Sequence, residues 1–162
     1  MVKVVVHCSA SGFGNAALVA KWHLERGWSG IGYHYVILNG WLASGVYNRR
    51  FNGHIETGRP LDDDPVVAGH ETGAHVRSFN RGSVGVCLIG NSGSFTQRQR
   101  IALIQCLFEL EEQFGQIDVC QHSDLDPKKP LCSGLVTDDI RNNLALYRER
   151  IERYQRLPKD VA

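Results

Sequence analysis

Ser83-Val84-Gly85-Val86-Cys87-Leu88-Ile89 is the stretch on which the fold class turns. Val84, Val86 and Leu88 would share one face of a strand and Gly85, Cys87 and Ile89 the other, and both sets are apolar. That is the pattern of a central strand covered on both sides, not of one with a solvated face. A sheet buried on both faces needs helices on both, so the segment predicts an α/β architecture. Working outward, residues 3–8 (Lys-Val-Val-Val-His-Cys) form a second β-branched run, too short for a helix and stopped by Ser9-Ala10-Ser11-Gly12. It reads as a buried strand ending at His7 or Cys8. Residues 16–26 put Leu18, Val19 and Trp22 on one helical face, with Asn15 as N-cap and Gly27 as the stop. Residues 33–38 read as a strand, and Asn39-Gly40 as a hairpin turn returning the chain through Trp41. Residues 42–51 read as an extended excursion before a second Asn-Gly at 52–53. Residues 60–72 read as a loop whose run Asp62-Asp63-Asp64 is solvated.

The longest helix is predicted to start at Thr96, where Thr-x-x-Gln99 is a capping box, to carry the stripe Ile101, Ile104, Leu107, Phe108 and Phe114, and to end at Gly115. A short strand at 117–119, a polar loop at 121–134 and a last helix from Thr137 follow. Ile140, Leu144, Tyr147, Ile151 and Tyr154 would face inward from that helix. The expectation is a single α/β domain over residues 1–162, a central mixed β-sheet flanked by helices.

Composition narrows the function. The chain has 162 residues, the length of one ordinary domain. Eighteen Lys plus Arg against seventeen Asp plus Glu leave a formal net charge of +1, with no global field to hold nucleic acid. The arginines of the last helix (Arg141, Arg148, Arg150, Arg153, Arg156) are offset by Asp138, Asp139, Glu149, Glu152 and Asp160, which reads as a solvated face. No apolar run approaches the roughly 20 residues of a membrane span. Residues 1–6 run directly into His7 with no cleavage site behind a longer apolar stretch, so the chain is expected to be made without a secretory signal and to be cytoplasmic on synthesis. Five cysteines, at 8, 87, 106, 120 and 132, then read as thiols, most of them buried. Oligomeric state is not legible.

His7, His122 and Cys132 fall at loop positions beside predicted strand ends. Two imidazoles and a thiolate suit zinc, and three protein ligands leave a fourth tetrahedral position open, the catalytic arrangement. The spacing is not specific, and Asp124, Asp126, Cys8 and Cys120 compete on the same grounds.

Several segments, in order, resemble the zinc-dependent N-acetylmuramoyl-L-alanine amidases, the superfamily of phage amidase-type lysozymes, cell-wall recycling amidases and peptidoglycan recognition proteins. They are Val6-His7-Cys8-Ser9-Ala10, Gly27-Trp28 through Gly32-Tyr33-His34-Tyr35, Glu56-Thr57-Gly58-Arg59-Pro60, Gly73-Ala74-His75 with Phe79-Asn80 and Ser83-Val84-Gly85-Val86, and Gln121-His122-Ser123-Asp124-Leu125-Asp126-Pro127 ending in Cys132-Ser133-Gly134. The resemblance implies hydrolysis of the amide between N-acetylmuramic acid and L-alanine in peptidoglycan or a muropeptide. It implies Zn2+ held by His7, His122 and Cys132, and a catalytic Tyr33 beside the attacking water. Phage members often carry a catalytic lysine two residues before the third ligand. Here Pro130 stands there, with Lys128 and Lys129 just before it, and Lys129 is taken as the catalytic residue, Lys128 as the alternative. The resemblance also implies that His75 and Asn80 contact the muramyl-peptide. His34, one residue on from Tyr33 along a strand, points the other way and reads as structural. Residues 41–52 look inserted. A phage or prophage endolysin is the favoured reading; a cytosolic recycling amidase and a non-catalytic peptidoglycan-binding module are the rivals.

Overall fold

The valines at 4, 5 and 6 are fully buried, and the strand they form, β1 (Val2–Cys8), lies inside the sheet. The computed structural model describes residues 1–130 and 132–157. Five strands, β1, β2 (Tyr35–Ala43), β3 (Val46–Thr57), β4 (Ser83–Leu88) and β5 (Ile117–Gln121), form one mixed sheet in the order β3-β2-β4-β1-β5. β1 runs parallel to both β4 and β5, β2 runs parallel to β4, and β3 is antiparallel to β2. β4 is buried at every residue, as its unbroken apolar run predicts.

Alternation along β1 divides the molecule. Val4 and Val6 join Ile37, Val84, Val86 and Leu88 beneath α2 (Gln97–Phe114) and α4 (Thr137–Gln155), whose Leu103, Leu107, Leu110, Ile140 and Leu144 close that layer. Each such side chain stabilises the fold by roughly 1.5–3 kcal/mol. Val5 points to the opposite face, where Val76 and Cys120 meet it. On that face, Val36, Leu38 and Ile89 pack against Val19 and Trp22 of α1 (Ala16–Glu25). His7, two residues beyond Val5, is therefore delivered to the face that α2 and α4 leave free.

The caps are as the sequence predicts. Asn15 Oδ1 accepts from Leu18 N at 2.8 Å, and Thr96 and Gln99 exchange both bonds of the capping box at 3.1 Å each. Gly115, at φ 72°, ends α2.

Several boundaries differ from expectation. The hairpin turns at Ser44-Gly45, not at Asn39-Gly40, so residues 42–51 continue the β2–β3 pair and do not leave the sheet. Asn39 is held in the ladder because its amide donates to the Gly12 carbonyl at 2.8 Å and its carbonyl accepts from Trp41 N. The second strand begins at Tyr35, after Tyr33, and the fifth extends to Gln121. The 121–134 loop contains one helical turn, α3 (His122–Leu125), and the 60–72 loop a 3-10 turn at Gly69–Glu71. Ile101 and Tyr154 are exposed, at 50% and 68%; the inner stripe of α2 is rotated onto Ala102, Leu103, Cys106 and Leu107, and that of α4 rests on Ile140 and Leu144. Asp62, Asp63 and Asp64 are exposed as expected. Arg141 and Arg148 pair with Asp118 and Glu111, consistent with a solvated helix face.

Candidate active site

His7 reaches the free face of the sheet at the C-terminal end of β1, and β5, hydrogen-bonded beside it, ends at Gln121, so the next residue, His122, arrives at the same level. The short helix α3 is turned there by Asp124, whose carboxylate accepts from Gln121 N at 2.9 Å and from the Thr137 hydroxyl at 2.7 Å. The chain then doubles back through Asp126, which accepts from Lys128 N at 3.0 Å and, through its carbonyl, from Lys129 N at 2.9 Å. Cys132 N donates to the Lys129 carbonyl, which returns the cysteine to the histidines.

One ligand atom from each of His7, His122 and Cys132 lies within 4.8 Å of the others. His7 Nδ1 is 3.1 Å from His122 Nδ1 and 3.9 Å from Cys132 Sγ. Tetrahedral zinc with nitrogens at about 2.0–2.1 Å and sulfur at about 2.3 Å has edges of about 3.3 Å (N···N) and about 3.6 Å (N···S), so the three donors fit that ion. Of the competing ligands, Asp124 is engaged in capping α3, Cys120 lies in the Val5 cluster, and Asp126 stands behind His122, 3.9 Å from its Nε2.

Electrostatics favour ligation. Burial, and then the neighbouring imidazoles of His75 and His122, hold the His7 pKa well below its usual value. Burial also lowers His122; Asp126 opposes this and the Lys129 ammonium adds to it. Both rings are thus neutral near pH 7, with a lone pair to offer. The two thiols Cys8 and Cys132 act on each other, which pulls Cys8 down to about 6 and drives Cys132 up. Burial pushes the Tyr33 phenol well above its usual range, so it remains a donor; its ring lies 5.1 Å from that of His7.

Cys8, Tyr33, His122 and Cys132 line a groove of about 800 Å³ between the α1 end, with Arg26 and Trp28, and the loop carrying Asp126, Lys128, Lys129 and Pro130, and His7 is buried beside them. His75, Arg77 and Asn80 line it too. Asn80 Oδ1 accepts from His75 N at 2.8 Å and Val76 N at 2.7 Å, which folds the turn that presents His75. His34 is fully buried beneath the groove, accepting from Gly85 N through Nδ1 and donating to the Glu71 carbonyl through Nε2. A second grouping, Asp62, His70 and Glu71, has its buried carboxylate occupied by the backbone N–H groups of Asp62 and Ala68, at 2.6 Å each. Arg26 and Arg77 escape a reading of the sequence because no local pattern marks them; only folding brings them to the groove.

The sheet, the cluster of two imidazoles and a thiol, and the groove beside them have the make-up of a hydrolase site. Residues 2–134 match the N-acetylmuramoyl-L-alanine amidase family, and the chain belongs to it. It is 34% identical to an endolysin of Klebsiella phage KP32 over 139 residues, 78% of this chain and 77% of that protein. In fold it is similar to the N-acetylmuramoyl-L-alanine amidase LysC from Clostridium intestinale, with a TM-score of 0.69 at 24% identity over 88% of this chain and 84% of that one. Drosophila PGRP-LB has the same fold, with a TM-score of 0.63 at 22% identity over 85% and 78% of the two chains.

Proposed function

We propose that this chain is an endolysin-type amidase that hydrolyses the amide between the lactyl group of N-acetylmuramic acid and L-alanine, with zinc held by His7, His122 and Cys132. The observation that carries this reading is the convergence of those three donor atoms, two of them from residues that line the groove. Zinc supplies Lewis-acid polarisation of the scissile carbonyl and a nucleophile at neutral pH. The Tyr33 hydroxyl, protonated throughout, would donate to the attacking oxygen or to the oxyanion as it forms. Lys129 is the lysine whose charge reaches His122, which supports it over Lys128 as the oxyanion's ammonium partner. His75 and Asn80 line the groove where the sugar-peptide junction would lie.

Purified protein is expected to hold about one zinc per chain and to release new amino termini from isolated sacculi. Cys132→Ser should fold yet lose most of the metal. Wild-type zinc content in Cys132→Ser would move the third ligand elsewhere, with Asp126, beside His122, the first to examine. The endolysin relatives favour wall cleavage over recycling. Faster turnover of soluble anhydro-muropeptide than of intact sacculi would reverse that preference.

A further inference from the structure

His75 has a partner the proposed chemistry does not use. Its Nδ1 lies 3.1 Å from His7 Nε2, on the far side of the His7 ring from the triad, and its Nε2 lies 3.3 Å from Ser83 Oγ. Ser83 Oγ lies 2.6 Å from the Phe79 carbonyl and 3.0 Å from that of Asn80. Two oxygens 2.6 Å apart need a hydrogen between them, and a carbonyl has none, so the Ser83 proton points at the backbone. Ser83 Oγ can then only accept from His75, and the His75 proton is on Nε2. A neutral imidazole carries one proton, so His75 Nδ1 is an acceptor, and the His7 proton is on Nε2 facing it. His7 Nδ1 is left bare, aimed at His122 Nδ1 and Cys132 Sγ.

We infer that His75 is a positioning residue which, anchored by Ser83, fixes His7 as the Nε2–H tautomer and so prepares Nδ1 for metal before any metal arrives. Rigid seating supports this role. His75 is 7% exposed, Ser83 1% and His7 fully buried. Gly85, opposite Val5 in the ladder, is what admits the ring, since a Cβ there would lie 2.6 Å from His75 Cγ. Only glycine lets the central strand pass under an imidazole this closely. The outer partner of a metal-bound histidine generally sets its ring orientation and basicity, and its loss weakens metal binding by about 10–100-fold.

The inference rests on the zinc triad proposed above, but its first test does not. Nitrogen-15 NMR of the histidines in metal-free protein reads each tautomer directly, and Nε2–H is expected for both His7 and His75. A His7 ring protonated on Nδ1, or an averaged signal, overturns the inference whatever the metal content. The second test is zinc affinity by chelator competition. His75→Leu should bind zinc about 10–100-fold more weakly, whereas His75→Asn, whose side-chain oxygen replaces the Nδ1 acceptor, should recover most of the loss. Unchanged affinity in His75→Leu, or equal losses in the two variants, defeats it. Should His75→Leu fail to fold, Ser83→Ala keeps the ring and removes its anchor, and a mixture of His7 tautomers is then expected; a pure Nε2–H signal there refutes the anchoring. Failure of the wild type to bind any zinc would sink the proposed triad and leave the tautomer result standing.

Discussion

Tyr33 lies just before β2, its ring 5.1 Å from His7, with a phenol that burial keeps protonated. Replacing it by Phe removes one hydroxyl and little volume. Zinc content should survive and kcat fall by about 10–1,000-fold with KM little changed, the range for losing one transition-state donor. Steady-state rates on a soluble muropeptide check this, and unchanged kcat would make Tyr33 a packing residue. Lys128 and Lys129 allow a sharper comparison. Both are exposed on the groove rim, but Pro130 restricts Lys129 to an extended backbone, and its ammonium is the one that bears on His122. Lys129→Ala should lower kcat far more than it raises KM, and Lys128→Ala should leave both near wild type. The reverse ranking would transfer the role to Lys128; full activity of the double variant would remove lysine from the mechanism.

At the scale of elements, the sheet and α2 are joined by a polar side chain that the apolar pattern does not reveal. Gln99 is fully buried; its amide donates to the carbonyls of Ile37 and Ile89, and its oxygen accepts from Thr96 N. Gln99→Leu would leave the Ile89 carbonyl and the Thr96 N–H unpaired, while the Ile37 carbonyl keeps the Ile89 N–H. A loss of about 2–6 kcal/mol is expected, at about 1–3 kcal/mol for each of the two orphaned groups. Urea unfolding with an unchanged m-value measures it, and a loss below about 1 kcal/mol would show that water replaces the amide. The Gln99 capping box is legible in the sequence, because Thr-x-x-Gln is a local motif. The same residue's grip on the carbonyls of Ile37 and Ile89 is not, because they are 62 and 10 residues away. The hairpin shows the converse limit. Asn39-Gly40 has the local chemistry of a turn, yet the Gly12 carbonyl holds Asn39 in the ladder.

For the whole molecule, the histidines on and beneath the groove predict how stability follows pH. His7, His34, His75 and His122 are all depressed by burial, His75 to about 3, while unfolded histidine titrates near 6.5. Between those values the unfolded chain binds more protons than the folded one, so stability rises with pH and is complete above about 6.5. It is lost as pH falls through the folded values. Asp118, held low by Lys3, Arg141 and its own ion pairs, adds to the loss only below its usual carboxylate range. The urea midpoint of metal-free protein should therefore drop steadily from pH 7 to pH 4.5, and a flat profile would mean that these rings are open to solvent. No helix among the described residues is long and apolar enough to cross a membrane.

By itself, the sequence determined the layered α/β plan, because an unbroken apolar run at 83–89 and amphipathic helices with their caps are properties of neighbouring residues. It also determined the family, because several motif segments stand in order along the chain. Tertiary structure alone decided the rest. It turned the hairpin at Ser44-Gly45, brought Arg26 and Arg77 to the groove, set His7 Nδ1 against His122, and ran hydrogen bonds from His7 through His75 to Ser83. Those arrangements join residues up to 115 positions apart, and a ring nitrogen's partner depends on which strand lies beside it, a choice that parallel pairing makes only when the sheet closes.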